Sequence, residues 1–270
     1  IYVYTVLVHH WSNHWSSMTP WFRKGIDAGY QSGDLLYLAY SAQDCIIWDP
    51  QLDLETATRE HRKLLDIVKE CEYQDSLDSG TLFLQMLLNF QGLTKDKFSL
   101  TDENFDEADC VQAMYDRHFM TGIANYHIYK AEIHFLYNDT KGALVHILEQ
   151  EKLIASVMSL PQLVRFHIIS FLVRSMLIPG LKQEEKDMML SKMHESLSRV
   201  TGWAKHCPDN FEHLRLLMEA ELSGISGMVH KALSLYEQSV SVAKKNGYIR
   251  DEAIANEMAA RYLIQIQLPK

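Results

Sequence analysis

The chain has 270 residues, of which nearly half are apolar and under a quarter charged, enough to bury one large core or two small ones. With 26 basic against 35 acidic residues it carries a formal charge of −9, and no basic block interrupts that balance, so the phosphate-neutralising surface that nucleic-acid binding needs is missing. Cys45, Cys71, Cys110 and Cys207 are scattered with no Cys-x-x-Cys pair, which reads as four reduced, packed thiols in a cytoplasmic protein rather than a disulfide framework.

In chain order, Ile1–Val8 is apolar but too short to span a bilayer, and no cationic stretch precedes it, so no membrane span is expected. The first residue is not Met, which fits a piece of something longer. His9, His10 and His14 follow in His-His-Trp-Ser-Asn-His-Trp. His10 and His14 at i, i+4 would share a helical face, but a zincin needs Glu where Trp11 stands, and no carboxylate in the motif offers a third ligand. The expected reading is a helix packed through Trp11 and Trp15. Tyr30, Tyr37 and Tyr40 suit either a peptide groove or a core, and core packing is the expectation. Leu54, Ala57, Leu64, Leu65 and Val68 line one face of a helix over Asp53–Glu72. Gly92–Asn104 is polar enough to predict an exposed link, and Asn104-Phe-Asp-Glu107 has the form of a helix-opening capping box, as does Asp209-Asn-Phe-Glu212. Met120, Ala124, Ile128, Ala131 and Phe135 mark another helix. On it His127 and His134 stand seven apart, about 10 Å along the axis, too far to chelate one ion. His167–Val173 is β-branched, yet its flanks keep helical spacing, which predicts a buried helix; Ile178–Glu185 reads as a second exposed link. Cys207 precedes Pro208 at a helix start, where a thiolate can be stabilised, but His206 is its sequence neighbour and adjacent side chains there rarely meet; packing is expected. Val229, Ala232, Leu233, Tyr236, Val240 and Ala243 form one stripe of a helix that Lys244, Lys245 and Gly247 close.

Pro20, Pro50, Pro161, Pro179, Pro208 and Pro269 all fall where the hydrophobic period resets, and no segment alternates with period two. The fold expected is all-α, roughly a dozen helices of about 14–22 residues in a single domain over residues 1–270. Lys130–Leu144 aligns with Glu219–Leu233 at an offset of 89 residues, matching Ala131 to Ala220, Glu132 to Glu221 and Ala143 to Ala232. Small residues where two helices touch, a tight turn and an Ala-Leu opening, with Tyr236 four residues after Ala232, are the habit of TPR-like hairpins in a right-handed α-α superhelix.

Chemistry-bearing motifs are missing: no G-x-x-x-x-G-K-[ST], G-x-G-x-x-G, His-Arg-Asp loop or G-x-S-x-G elbow, and no Glu or Asp three residues before any histidine, as a ferritin-like di-iron site requires. No catalytic residue, cofactor site or metal ligand is assigned. The segments Trp203-Ala-Lys-His-Cys-Pro-Asp-Asn-Phe-Glu-His-Leu214, Met218-Glu-Ala-Glu-Leu222, Lys231-Ala-Leu-Ser-Leu-Tyr-Glu-Gln-Ser239 and Ala243-Lys-Lys-Asn-Gly-Tyr-Ile-Arg-Asp-Glu-Ala-Ile-Ala-Asn-Glu-Met-Ala-Ala-Arg-Tyr-Leu263, with Ser32-Gly-Asp-Leu-Leu-Tyr-Leu-Ala-Tyr-Ser-Ala42, carry a resemblance. The chain resembles the helical region that follows the STAND-type ATPase module in large bacterial signalling proteins, where a serine/threonine-kinase-like domain precedes and GAF or PAS sensors with a histidine kinase or cyclase follow. It departs from that pattern at Ser239, where the family usually has Ala, and at Leu222-Ser-Gly-Ile-Ser-Gly227, where the family has an Arg-Leu-x-Gly turn. The resemblance implies a non-catalytic regulatory scaffold whose partners are protein segments or neighbouring domains of the same chain. A free-standing TPR-like peptide-binding adaptor and a helical enzyme with a histidine-bound metal are the rivals.

Overall fold

The structure is a computed structural model that describes residues 1–267. It is all-α: thirteen α-helices and no strand among the described residues. They are α1 (Tyr2–Leu7), α2 (Met18–Ser32), α3 (Leu35–Asp44), α4 (Leu54–Glu70), α5 (Gln74–Phe90), α6 (Glu107–Asp116), α7 (Met120–Leu136), α8 (Thr140–Leu153), α9 (Gln162–Leu177), α10 (Gln183–His206), α11 (Pro208–Ile225), α12 (Val229–Lys245) and α13 (Ile249–Gln267). The chain divides into two compact units, one made of Ile1–His10 with Trp15–Phe166, the other of Trp11–His14 with the chain from His167 onwards.

In the first unit α2 packs on α3, α3 on α4 and α5, α4 on α5, α5 on α7, and α7 on both α6 and α8. Phe22, Leu38, Leu82, Met86, Met114, Ile123 and Ile133 fill its core. Close approach is built into the sequence: a Cβ on Gly29 would stand 2.7 Å from Leu38 Cβ and 3.0 Å from its Cα, so α2 and α3 meet nearly backbone to backbone. In the second unit α10 packs on α11, α11 on α12 and α13, and α12 on α13, around Phe171, Val200, Phe211, Met218 and Tyr236. α2 to α5, α6 to α8 and α10 to α13 thus pack each on its successor and, at intervals, on the next but one.

One turn joins these helices repeatedly. A residue in the left-handed region ends the helix, and the amide after it returns to the carbonyl five residues back, satisfying an otherwise orphaned acceptor. In this turn the left-handed residue is Gly33, Gly92, His118, Asn138, Gly227 or Gly247; Glu72 and Ser159 are left-handed outside it. The returning bonds are Asp34 N–H to Gly29 O (3.2 Å), Leu93 to Leu88 (2.9 Å), Phe119 to Met114 (2.9 Å), Asp139 to His134 (2.8 Å), Met228 to Ser223 (2.9 Å) and Tyr248 to Ala243 (2.9 Å). The α7–α8 and α11–α12 turns fall at the same offset as the matched alanines, and Ala131, Ala143, Ala220 and Ala232 are all buried.

The expected helices over Asp53–Glu72, Met120–Phe135, His167–Val173 and Met228–Asn246 are present as α4, α7, α9 and α12. Two expectations need correction. His9–Trp11 and Trp15–Ser17 are separate 3-10 turns, so no helical face carries His10 and His14. Neither capping box forms: α6 is capped by Asp106, whose carboxylate accepts the amides of Ala108 and Asp109, and α11 opens at Cys207–Pro208 without a side-chain cap. Gly92–Asn104 is a link exposed along much of its length, as expected, with Leu100 alone in it buried. The reset expected at Pro269 lies outside the described residues.

One helix, over Gln162–Gly180, has the length and mean hydropathy (1.4) of a bilayer span, but 78% of that window is buried inside the protein. It also carries Arg165 and Arg174, both buried, the first bonded to Glu132 at 2.5 Å and the second to Ser170. Those are the marks of a core helix.

Candidate functional site

The densest polar constellation lies in the first unit, where the segment between α5 and α6 crosses α7. Its anchor is Asn89, fully buried near the end of α5, whose side-chain amide reaches Thr94 Oγ1 (2.9 Å) and the carbonyls of Asp96 (3.3 Å), Lys97 (3.3 Å) and Ser99 (2.9 Å). One side chain therefore gathers the carbonyls that a loop would otherwise offer to water. Leu100 is buried beneath, and Phe98 stacks flat on His134 at 4.6 Å with Lys97 over its face at 4.8 Å. The link stays exposed along much of its length, and its polar side chains add these internal bonds.

Glu107, the first residue of α6, ties this strap to α7. Its carboxylate accepts Leu100 N–H (2.7 Å), Tyr126 O–H (2.9 Å) and the Lys130 ammonium (2.8 Å), and Lys130 also donates to Phe98 O. Lys130 is almost fully buried, a charge withdrawn from water only because carboxylate and carbonyl surround it. Burial and the Glu107 carboxylate push the Tyr126 phenol well above its ordinary range.

Three histidines line the α7–α8 face beside it. His127 Nδ1 and His146 Nδ1 are 3.0 Å apart, and the His146 ring lies 5.3 Å from that of His134. His134 donates from Nδ1 to Asp139 (2.8 Å), whose other oxygen accepts Gly142 N–H (3.1 Å) and opens α8; that amide and then His134 hold the Asp139 carboxyl below its ordinary value. The Nε2 of His127 is buried without a partner, so its proton belongs on Nδ1, donated to His146. Burial, then the neighbouring His127, His134 and Lys130, push His146 down to about 3, and burial lowers His127. His146 is thus neutral near neutral pH and far from the value a general base needs.

The second unit holds a buried His–Asp pair: His213 Nε2 to Asp251 Oδ2 at 3.1 Å, with the Tyr248 ring 4.4 Å away. The other ring nitrogen of His213 meets no hydroxyl or thiol, the position a nucleophile would hold in a triad, and Tyr248 spends its hydroxyl on Asn210 at 2.6 Å. Among the described residues no group of three or more His, Cys, Asp or Glu side chains is arranged to hold a metal ion.

The residues singled out in the sequence scatter. His10 belongs to the first unit and meets Trp15 edge-on at 6.3 Å, while His14 belongs to the second and bonds Asn246 O at 2.9 Å. Trp11 packs on Trp203 (5.1 Å) and Phe211 (5.9 Å), and Trp15 on Trp48 (6.0 Å), without the helix expected of them. Cys207 is buried and burial raises its thiol, the opposite of an activated thiolate. Tyr30 and Tyr37 are not core residues: they are 54% and 42% exposed, and Tyr40 is half-buried. His146, Asn89 and the His213–Asp251 pair carry no motif in the sequence, and Glu107, expected to cap a helix, instead joins Lys130 in the polar cluster. The available signal was charge inside an apolar helix, Lys130 and Glu132 in the run Ile128–Phe135.

No protein-family model, curated protein or solved structure matches this chain.

Proposed function

We propose that the chain is a non-catalytic regulatory scaffold of TPR-like hairpins stacked in a right-handed α-α superhelix, serving as an interaction module within a cytoplasmic multidomain signal-transduction ATPase or sensor kinase. The observation that carries the scaffold reading is the recurrence of a single left-handed turn between helices that pack on their sequence neighbours, the local grammar of helical arrays. The chemistry of the polar clusters supports it. Their histidines are bonded to each other or to carboxylates, and none faces a nucleophile. The link to an ATPase and an output kinase or cyclase rests on the resemblance carried by the C-terminal segments and by Ser32–Ala42.

The surrounding reading frame tests that link. An upstream G-x-x-x-x-G-K-[ST] module in one continuous frame with these helices supports it; a frame that encodes only these helices leaves a free-standing adaptor. Stoichiometric metal in purified protein, lost on His10→Ala or His14→Ala, would instead favour the histidine-metal enzyme.

A further inference from the structure

A row of tyrosines in the first unit points to the kind of partner this scaffold takes, an inference that rests on the scaffold reading. Asp34 caps α3 by accepting the Tyr37 amide at 3.2 Å, which turns Leu35, Leu36 and Tyr37 outward, 53%, 42% and 42% exposed. Tyr40 follows one turn later, and Tyr73, at the start of α5, meets it hydroxyl to hydroxyl at 2.9 Å with the rings 5.4 Å apart and nearly perpendicular. Tyr37 and Tyr40 are 6.1 Å apart at 69°. Behind them Tyr2 stacks on Tyr40 at 5.2 Å, its hydroxyl spent on the buried carboxylate of Asp44 at 2.8 Å, so the row has a rigid back wall.

Carboxylates stand beside the row. Asp34 is at one end; Asp75 and Asp78 are at the other, sharing the single cation Arg117, which leaves one negative charge over. Two other rings of this chain, Trp21 and Phe98, are each covered by one of its own lysines, at 5.0 and 4.8 Å. Among the described residues no lysine or arginine covers Tyr37, Tyr40 or Tyr73. A ring face attracts a cation through its quadrupole, and neighbouring carboxylates add to the pull.

We propose that Tyr37, Tyr40 and Tyr73, with Leu35, Leu36 and Asp34, form a docking surface for a basic peptide segment. Its Arg or Lys heads lie over the rings toward Asp34 and Asp75, and its aliphatic stems cover the two leucines. Charge selects this occupant: a second copy of a chain carrying −9 repels the first, and so do nucleic acid and anionic lipid.

Fluorescence anisotropy of the intact chain with a labelled nonapeptide of alternating Arg and Ala, against the same peptide with Glu for Arg, tests this. The Arg peptide is expected to bind saturably and to weaken as salt is raised. Tyr37→Ala should weaken it about fivefold, while Tyr37→Phe, which keeps the ring, and Tyr4→Ala, an exposed tyrosine of α1, should leave it unchanged. Circular dichroism melts confirm that each variant is folded. Binding that Tyr37→Ala leaves unaltered, equal binding of the Glu peptide, or no binding at millimolar peptide overturns the proposal. So does a concentration-dependent dimer, seen by light scattering, that Tyr37→Ala dissolves. None of these results touches the turn and packing pattern behind the scaffold reading, which fails separately, on an experimental structure with other helix connections.

Discussion

His61 offers a clean test of how much acid stability this fold surrenders. The ring lies fully buried between α4 and α5, donates from Nε2 to Gly80 O at 2.8 Å, and presents its edge to Phe83 at 5.0 Å. Gly80 permits the approach, since a Cβ there would stand 2.7 Å from Leu65 Cδ2. Nδ1 is buried with no partner, so the ring has nowhere to put a second proton, and burial pushes it down to about 4. The unfolded chain takes up that proton near pH 6.5 and the folded chain only near 4, so between those values the unfolded state binds more protons and stability falls as pH falls. From pH 7 to about pH 5 the loss due to His61 is roughly 2 kcal/mol. His61→Leu removes it, and also removes the bond to Gly80, but that second cost is the same at both pH values. Urea unfolding of both proteins, followed by circular dichroism at both pH values, yields the double difference in which every other titrating group cancels. His61→Leu should lose about 2 kcal/mol less than the parent between the two conditions. A double difference below roughly 0.5 kcal/mol would show that the imidazole is solvated or finds a second acceptor, and would refute the assignment.

Asp44 should behave with the opposite sign: burial raises its carboxyl to about 6, so its ionisation costs stability as pH rises through that value, and Asp44→Asn should gain about 1 kcal/mol more at pH 8 than at pH 5 in the same assay. Gly29→Ala forces its methyl against the Leu38 backbone and should cost about 1–3 kcal/mol in urea unfolding, whereas Gly202→Ala, which meets nothing within 4 Å, should not destabilise. At the turns, Gly227→Ala should cost about 1 kcal/mol because φ is +73°, and His118→Gly, relieving an exposed non-glycine residue at φ +56°, should gain about 0.5–1 kcal/mol. Asn89→Ala should release the strap, seen as loss of amide exchange protection and new proteolysis between residues 91 and 106 while the rest of the unit stays protected.

The amphipathic stripes of α4 and α12 were legible because each buries one face only, so the apolar period survives in the sequence. The turns were partly legible: Gly247 announces its left-handed backbone, but His118 and Asn138 adopt the same conformation with no such signal. The strap was legible as an exposed link, but its internal bonds were not, for a physical reason. Asn, Thr, Asp and Ser read as solvent-seeking, yet here they satisfy one another around Asn89, and composition cannot tell internal bonds from bonds to water. The division into two units left no mark either, since it falls inside α9, between Phe166 and His167, where the helical period runs on unbroken.

The buried ionisable groups bear most directly on catalysis. Burial pushes His10, His61, His146 and His167 down and Asp44 and Glu221 up, each toward its uncharged form. A catalytic acid or base is held near the working pH with one face open to substrate. Asp44, at about 6, comes nearest in value, but one oxygen accepts Tyr2 O–H and the other the Gln43 amide, and the carboxyl is fully enclosed. These six side chains therefore act as neutral, directional pieces of the packing. Such pieces contribute little net stability over apolar residues of the same size, but each leaves an unpaired polar atom in any other packing. Where helices meet through small apolar residues, as at Ala131 and Ala143 in one unit and Ala220 and Ala232 in the other, such restrictions narrow the packings available.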